Sequence, residues 1–259
     1  MISLTSAEIN AWTVAFFFPL TRVLAVLVSA PPFNNPALTV RVRLILGLAI
    51  TLAIAPALPP MPAIDPASAA GLLILAQQML IGFAMGFAMR LVLAAVDLAG
   101  SMISLQMGLG FASSYDPLTA GQTGVISEFL GLLALLIFMA INGHLMVIAT
   151  LTHSFTAIPV AAAFPDQGTW WQLARSGAMI FSSGLLLALP ILVALLITNL
   201  SLAILGRAAP QLNLIVIGFP LTITLGFVGL MFGLSYLSQP LQQAFEYGLQ
   251  AMLGNFSAR

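Results

Sequence analysis

Six apolar runs, at residues 9–30, 42–58, 69–96, 125–158, 178–205 and 212–237, leave almost no room for a water-soluble core. A helix needs roughly 20 apolar residues to cross the hydrocarbon of a bilayer. Most of these runs reach that length and favour helix by their Ala, Leu and Met content. Charged residues are only 5% of the chain, against about 25% in soluble domains. The chain therefore reads as all-α and polytopic in a membrane. No linker or biased tail divides it, so residues 1–259 are expected to form one integral-membrane domain.

Proline and glycine punctuate the runs. Pro31-Pro32-Phe33-Asn34-Asn35-Pro36 ends the first, prolines from Pro56 to Pro66 end the second, and Phe164-Pro165-Asp166-Gln167-Gly168 ends the fourth. Six alternating crossings would gather Arg41, Arg43, Arg90 and Arg207 on one side, the cytoplasmic one by the positive-inside rule, with Asp65 and Asp166 opposite and both termini outside. The first residues carry Glu8 and no basic cluster, so a cleaved signal peptide is not expected. The net charge of +0 argues against a nucleic-acid partner, which requires a basic face. The absence of cysteine excludes disulfides and thiolate metal sites.

Several features sit badly with plain spans. The run 125–158 is too long for one crossing and contains Asn142-Gly143-His144. Pro19, Pro190 and Pro220 fall inside apolar runs and are expected to kink helices. Arg22 lies within the first run, and residues 98–122 read as neither a clean helix nor a short loop. Such features need protein around them rather than lipid on every side.

Two stretches are the most unusual. Gly206-Arg207-Ala208-Ala209-Pro210-Gln211-Leu212-Asn213, followed by Gly218-Phe219-Pro220, puts backbone breaks, a cation and two amides between apolar runs. Each is costly beside lipid, so the stretch belongs against protein or a watery path. Arg207, Gln211 and Asn213 are expected to fix the turn through backbone carbonyls or a neighbouring chain. The second stretch is Gln106-Met107-Gly108-Leu109-Gly110-Phe111-Ala112-Ser113-Ser114-Tyr115-Asp116-Pro117. Its glycines permit unusual backbone angles, while Met107, Phe111 and Tyr115 are bulky. It reads either as a displaceable constriction or as an apolar loop.

Among the charges, Arg90 and Asp97 share a helix face if one helix runs through both, and each suits a partner on another element. Glu128 opens the fourth run, as a carboxylate at a positive helix end or as one half of an intersubunit ion pair. Gly82 and Gly86 offer a close-packing face, and Met79, Met85 and Met89 read as core filling or as a deformable gasket. His144 and His153 are nine apart, not at helical metal spacing, and Gly-x-Ser-x-Gly is absent. An enzyme is therefore not expected, and no cofactor or metal is implied. A secondary transporter is the weaker alternative, because acids within spans are almost lacking.

The stretches 107–117, 206–213 and 218–220, with Arg41-Val42-Arg43 after the first run, resemble the FliR family of flagellar type III export-gate proteins over essentially the whole chain. The virulence-injectisome counterpart is the runner-up. The resemblance implies kinked helical hairpins, a subunit like a fusion of FliP and FliQ, and assembly with FliP and FliQ into a helical pore in the bacterial inner membrane at the flagellar basal body. It implies FlhB and FlhA as further partners and unfolded flagellar proteins as the cargo. It also implies that residues 108–122 match the family's plug, with Met107, Gly108, Gly110, Phe111, Tyr115 and Asp116 as gate residues. Gly206, Arg207, Pro210, Gln211, Asn213, Gly218, Phe219 and Pro220 would form the assembly motif.

Overall fold

The apolar runs become helices in a computed structural model that describes residues 6–109, 124–161, 167–211 and 214–257. In chain order these are α1 (Ser6–Ser29), α2 (Val40–Ile54) with a 3-10 turn at Ala55–Ala57, α3 (Ala69–Gln106), α4 (Val125–Ala140), α5 (Gly143–Ala157), α6 (Gln167–Ser176), α7 (Ala178–Ala208) and α8 (Leu214–Ser257). No strand occurs among the described residues. The protein is an all-α polytopic membrane protein.

The structure corrects three expectations. Residues 98–106 are helical and prolong α3. Gly100 and its neighbouring serines look like breakers, yet Gly100 is small because the backbone of Ser127 packs against it. Gln167 and Gly168, read as the end of a break, instead open α6. The last run does not stop at Leu237, and α8 continues through Pro240 to Ser257. Its extension buries Leu241, Ala244, Phe245, Leu249 and Met252, a helical stripe that the intervening glutamines conceal.

Among the described residues, four helices are long and apolar enough to span a membrane, or five if α4 and α5 together count as one. The first run forms α1, 24 residues long; its stretch Thr13–Ser29 is apolar and buries Phe18, Arg22, Val23, Val26 and Leu27. The long fourth run breaks at Asn142, whose φ of 57° lies in the left-handed region. Asparagine tolerates this conformation better than most residues.

The chain divides into two compact units. The first comprises Met1–Leu91, Asn142–Gly177 and Glu246–Arg259; the second comprises Val92–Ile141 and Ala178–Phe245. In the first unit α1 crosses the start of α3 where α3 is thinnest. A Cβ on Gly82 would stand 2.6 Å from the Arg22 carbonyl oxygen, and Gly86 faces Ser29. These glycines are the close-packing face expected from sequence. Met85 and Met89 are fully buried as core filling, while Met79 is exposed.

The second unit is built on the buried stripe Val92, Ala95, Val96, Ala99 and Ile103 of α3. Against such stripes stand Ile126, Leu130, Ala134 and Phe138 of α4 and Leu187, Ala188, Ile191 and Leu195 of α7, with side chains repeating at three and four residues. Gly184 lets α7 approach the Ala95 carbonyl, to which an added Cβ would stand 2.8 Å away. Phe138 and Phe245 close the packing with ring centroids 4.9 Å apart.

Candidate functional site

Helix α3 ends with a backbone device that its sequence requires. The last carbonyls of a helix lack partners within it. Here the Leu109 N–H donates to the Ser104 carbonyl and the Gly108 N–H to the Leu105 carbonyl, both at 3.0 Å. This pair of bonds is a Schellman ending, which needs a left-handed residue after the cap. Gly108 supplies it with φ of +85°.

The ending is seated on α7 and α8. Asn199 Nδ2 donates to the Gln106 carbonyl at 3.3 Å, and the buried Thr222 hydroxyl donates to the Met107 carbonyl at 3.0 Å. The Met107 side chain is fully buried and lies over Gly226, where a Cβ would meet its sulfur at 2.6 Å. The Phe219 ring covers Gly108, where a Cβ would meet it at 2.7 Å. The two unusual sequence stretches, 106–117 and 218–220, therefore meet in space.

The other end of segment 110–123 returns to the same turn of α3. A Cβ on Gly124 would stand 3.3 Å from Ser104 Oγ. In the first turn of α4 the buried Ser127 hydroxyl donates to the Asp97 carbonyl at 3.1 Å and shares a hydrogen bond with Ser101 Oγ at 3.1 Å. Segment 110–123 thus leaves from Leu109 and arrives at Gly124 with both feet fixed beside Ser104. The feet offer shape and hydrogen bonds and no nucleophile with a base. Among the described residues no group of three His, Cys, Asp or Glu stands together as metal ligands.

The remaining expected site residues fall in several places. Gly110, Phe111, Tyr115, Asp116 and Asn213 lie outside the described residues. Gly206 and Arg207 are in the last turn of α7, where a cation suits the negative helix end. Arg207, Pro210 and Gln211 are exposed. Gly218 lies 3.6 Å, by an added Cβ, from Leu202 of α7, and Pro220 sits inside α8. Helix α3 does run through both Arg90 and Asp97, and both are exposed, as is Glu128 in the first turn of α4. None of these three has an ion-pair partner among the described residues. Asn199, Thr222 and Gly226 were not expected to take part; a hydroxyl and a glycine within an apolar run were the only signals for the last two.

A second polar centre, in the first unit, gives the misplaced Arg22 its explanation. Arg22 is fully buried and its Nε donates to Gln78 Oε1 at 2.8 Å. One terminal nitrogen donates to the Ser154 carbonyl at 2.9 Å and to Ser154 Oγ at 3.0 Å. The other donates to the Ile158 carbonyl at 2.9 Å. The guanidinium carbon stands 4.1 Å from the centroid of the Phe155 ring. Thus the cation caps the C-terminal turn of α5, where the helix dipole is negative, and rests on an aromatic face. Its acceptors are all neutral.

Comparison with known proteins adds the family context. The profile of the bacterial export proteins, family 1, matches residues 13–248. The chain is similar to the flagellar biosynthetic protein FliR of Pectobacterium carotovorum subsp. carotovorum, with 43% identity over 230 residues, 89% of this chain and 88% of that one. It is 42% identical to the flagellar biosynthetic protein FliR of Escherichia coli (strain K12) over 240 residues, 93% and 91% of the two chains. The FliR of Bacillus subtilis (strain 168) is 31% identical over 179 residues, 68% and 69% of the two chains.

Proposed function

This chain belongs to the bacterial export proteins, family 1, and we propose that it is a core subunit of the flagellar type III protein-export gate. In this role it is a multi-pass protein of the bacterial inner membrane at the flagellar basal body. It joins FliP and FliQ around a passage for unfolded flagellar proteins, with FlhB and FlhA completing the apparatus. It does no bond chemistry. The flagellar rather than the injectisome reading follows from the names of its relatives.

The observation that carries the gating role is the pair of fixed feet beside Ser104. A segment that closes a passage must be displaceable without letting go of its frame. Segment 110–123 joins two anchored ends, and its own residues include Gly110, Phe111, Tyr115 and Asp116. Apolar bulk in a lumen excludes water, and with it ions. Met107 serves the foot rather than the lumen, because its side chain is buried over Gly226. The exposed Arg90, Asp97, Glu128, Arg207 and Gln211 are the groups available to partner subunits.

The test removes residues 113–119 and leaves both feet untouched. In a strain lacking its own FliR, the shortened chain assembles with FliP and FliQ, and the membrane becomes permeable to ions and small solutes. An intact complex in a tight membrane would overturn the gating role of this segment. Failure of the full-length chain to restore flagellar export would overturn the functional reading itself.

A further inference from the structure

We propose that Thr222 is a positioning residue that latches the end of α3, and that its one proton lets this foot release while the foot at Gly124 stays. The inference deepens the gating reading above and rests on it. The Thr222 side chain is buried, and its hydroxyl has three carbonyl oxygens within reach. Met107 lies at 3.0 Å, Gly218 at 3.1 Å and Phe219 at 3.1 Å. A hydroxyl has a single proton to donate. One acceptor is on the end of α3, and two belong to the helix that carries Thr222. Their distances are nearly equal, so none holds the proton exclusively. Thr224, two residues on, shows the committed alternative, with its hydroxyl 2.7 Å from the Pro220 carbonyl.

This sharing sets the cost of release. A buried donor stripped of its acceptor is costly. If Met107 leaves, the Thr222 proton turns to Gly218 or Phe219 by rotation about one bond. Each of those carbonyls has a second lone pair to receive it. The departing Met107 carbonyl meets water, so no donor is orphaned inside the protein. The other contacts of this foot yield in the same way. The Met107 side chain over Gly226 and the Phe219 ring over Gly108 are side-chain contacts, which rotate aside. The bond from Asn199 to the Gln106 carbonyl is long, at 3.3 Å.

The foot at Gly124 is built otherwise. There α4 meets α3 backbone to backbone, since a Cβ on Gly100 would stand 2.7 Å from the Ser127 nitrogen. The Ser127 hydroxyl is committed to the Asp97 carbonyl, with Ser101 Oγ also at 3.1 Å. Backbone has no rotamer to change. The two feet are therefore unequal: the end at Leu109 unlatches, and the end at Gly124 is the hinge.

Amide hydrogen exchange in the assembled complex tests this, read on peptides covering residues 104–109 and 125–130. In the unsubstituted chain, 104–109 should exchange faster than 125–130. Thr222→Val keeps the shape and removes the hydroxyl. It should speed exchange at 104–109 by about fivefold, the scale of one hydrogen bond, and leave 125–130 unchanged. Thr222→Ser keeps the proton and should match the unsubstituted chain. Equal acceleration at both feet overturns the proposal, because a general loss of packing does the same. No change at 104–109, failure of serine to rescue, or better protection of 104–109 than of 125–130 in the unsubstituted chain also overturns it. So does loss of assembly in Thr222→Val, since a latch is not needed to assemble. The gate itself is tested apart, by removing residues 113–119. A tight membrane there with unequal feet here overturns the gate and leaves the latch. A leak there with equal feet here overturns the latch and leaves the gate.

Discussion

The two polar centres are held by opposite means. Around Arg22 the first unit brings donors to acceptors until one buried cation is satisfied by Gln78, Ser154 and Ile158. At the feet of segment 110–123 the second unit removes atoms instead, with Gly100, Gly108, Gly124 and Gly226 each making room for a neighbour. One centre resists change because hydrogen bonds would be left unmade, the other because there is no space. The first kind suits a fixed anchor. The second suits a pivot, since contacts of shape hold a position without binding a charge there.

The comparison breaks most visibly at Arg22. Arg22→Ala takes a donor from Gln78 Oε1, Ser154 Oγ and the carbonyls of Ser154 and Ile158, of which the Ser154 carbonyl keeps the Ile158 N–H, and should cost about 1–3 kcal/mol for each acceptor left unsatisfied. The expected outcome is loss of extractable complex, or a much lower unfolding midpoint. Arg22→Lys keeps the charge but cannot reach Gln78, Ser154 and Ile158 from one ammonium, so it should rescue only in part. Full rescue by lysine would show that charge, not the fork, holds the centre.

A smaller loss is expected at the pivot. Gly108→Ala forces a side chain into a left-handed residue, costing about 1–2 kcal/mol, and into the Phe219 ring. Adding Phe219→Leu should recover the steric share and leave the backbone share. Thermal unfolding of the single and double variants measures the coupling. Strict additivity would mean that Phe219 does not seat the foot.

The smallest effect sharpens the contrast. Thr222→Val removes the hydroxyl that meets the Met107 carbonyl at 3.0 Å and should cost about 1 kcal/mol. If export through the gate is unaffected while stability falls by this amount, shape alone aims the foot. A loss as large as that of Arg22→Ala would erase the distinction between the two centres.

The sequence made the helices legible because apolar runs of span length have few other uses. Breaks at Asn142 and after Ala208 were legible for the same reason, since polar residues there interrupt an otherwise continuous signal. What escaped were effects of packing across the chain. Gly100 looks like a breaker in isolation, whereas Ser127 packs against it in the fold. The residue Arg22 stood out at once, yet its partners Gln78 and Ser154 lie 56 and 132 residues away, a distance no local pattern bridges. The glutamines after Leu237 mask a buried stripe because polarity along the chain differs from polarity around the helix. The meeting of Gly108 with Phe219 was foreshadowed only by both stretches being unusual.

The span between Arg22 and its last acceptor also sets a clock. Ile158 follows Arg22 by 136 residues, and chains grow at about 5–20 residues per second. On the order of ten seconds therefore pass between the synthesis of the guanidinium and that of the carbonyl that completes its cap. During that interval the arginine must stay where water or headgroups reach it, as long cationic side chains do near an interface. Helix α1 reaches its final seat only after α5 has been made, so a helix made earlier waits for one made later before it settles.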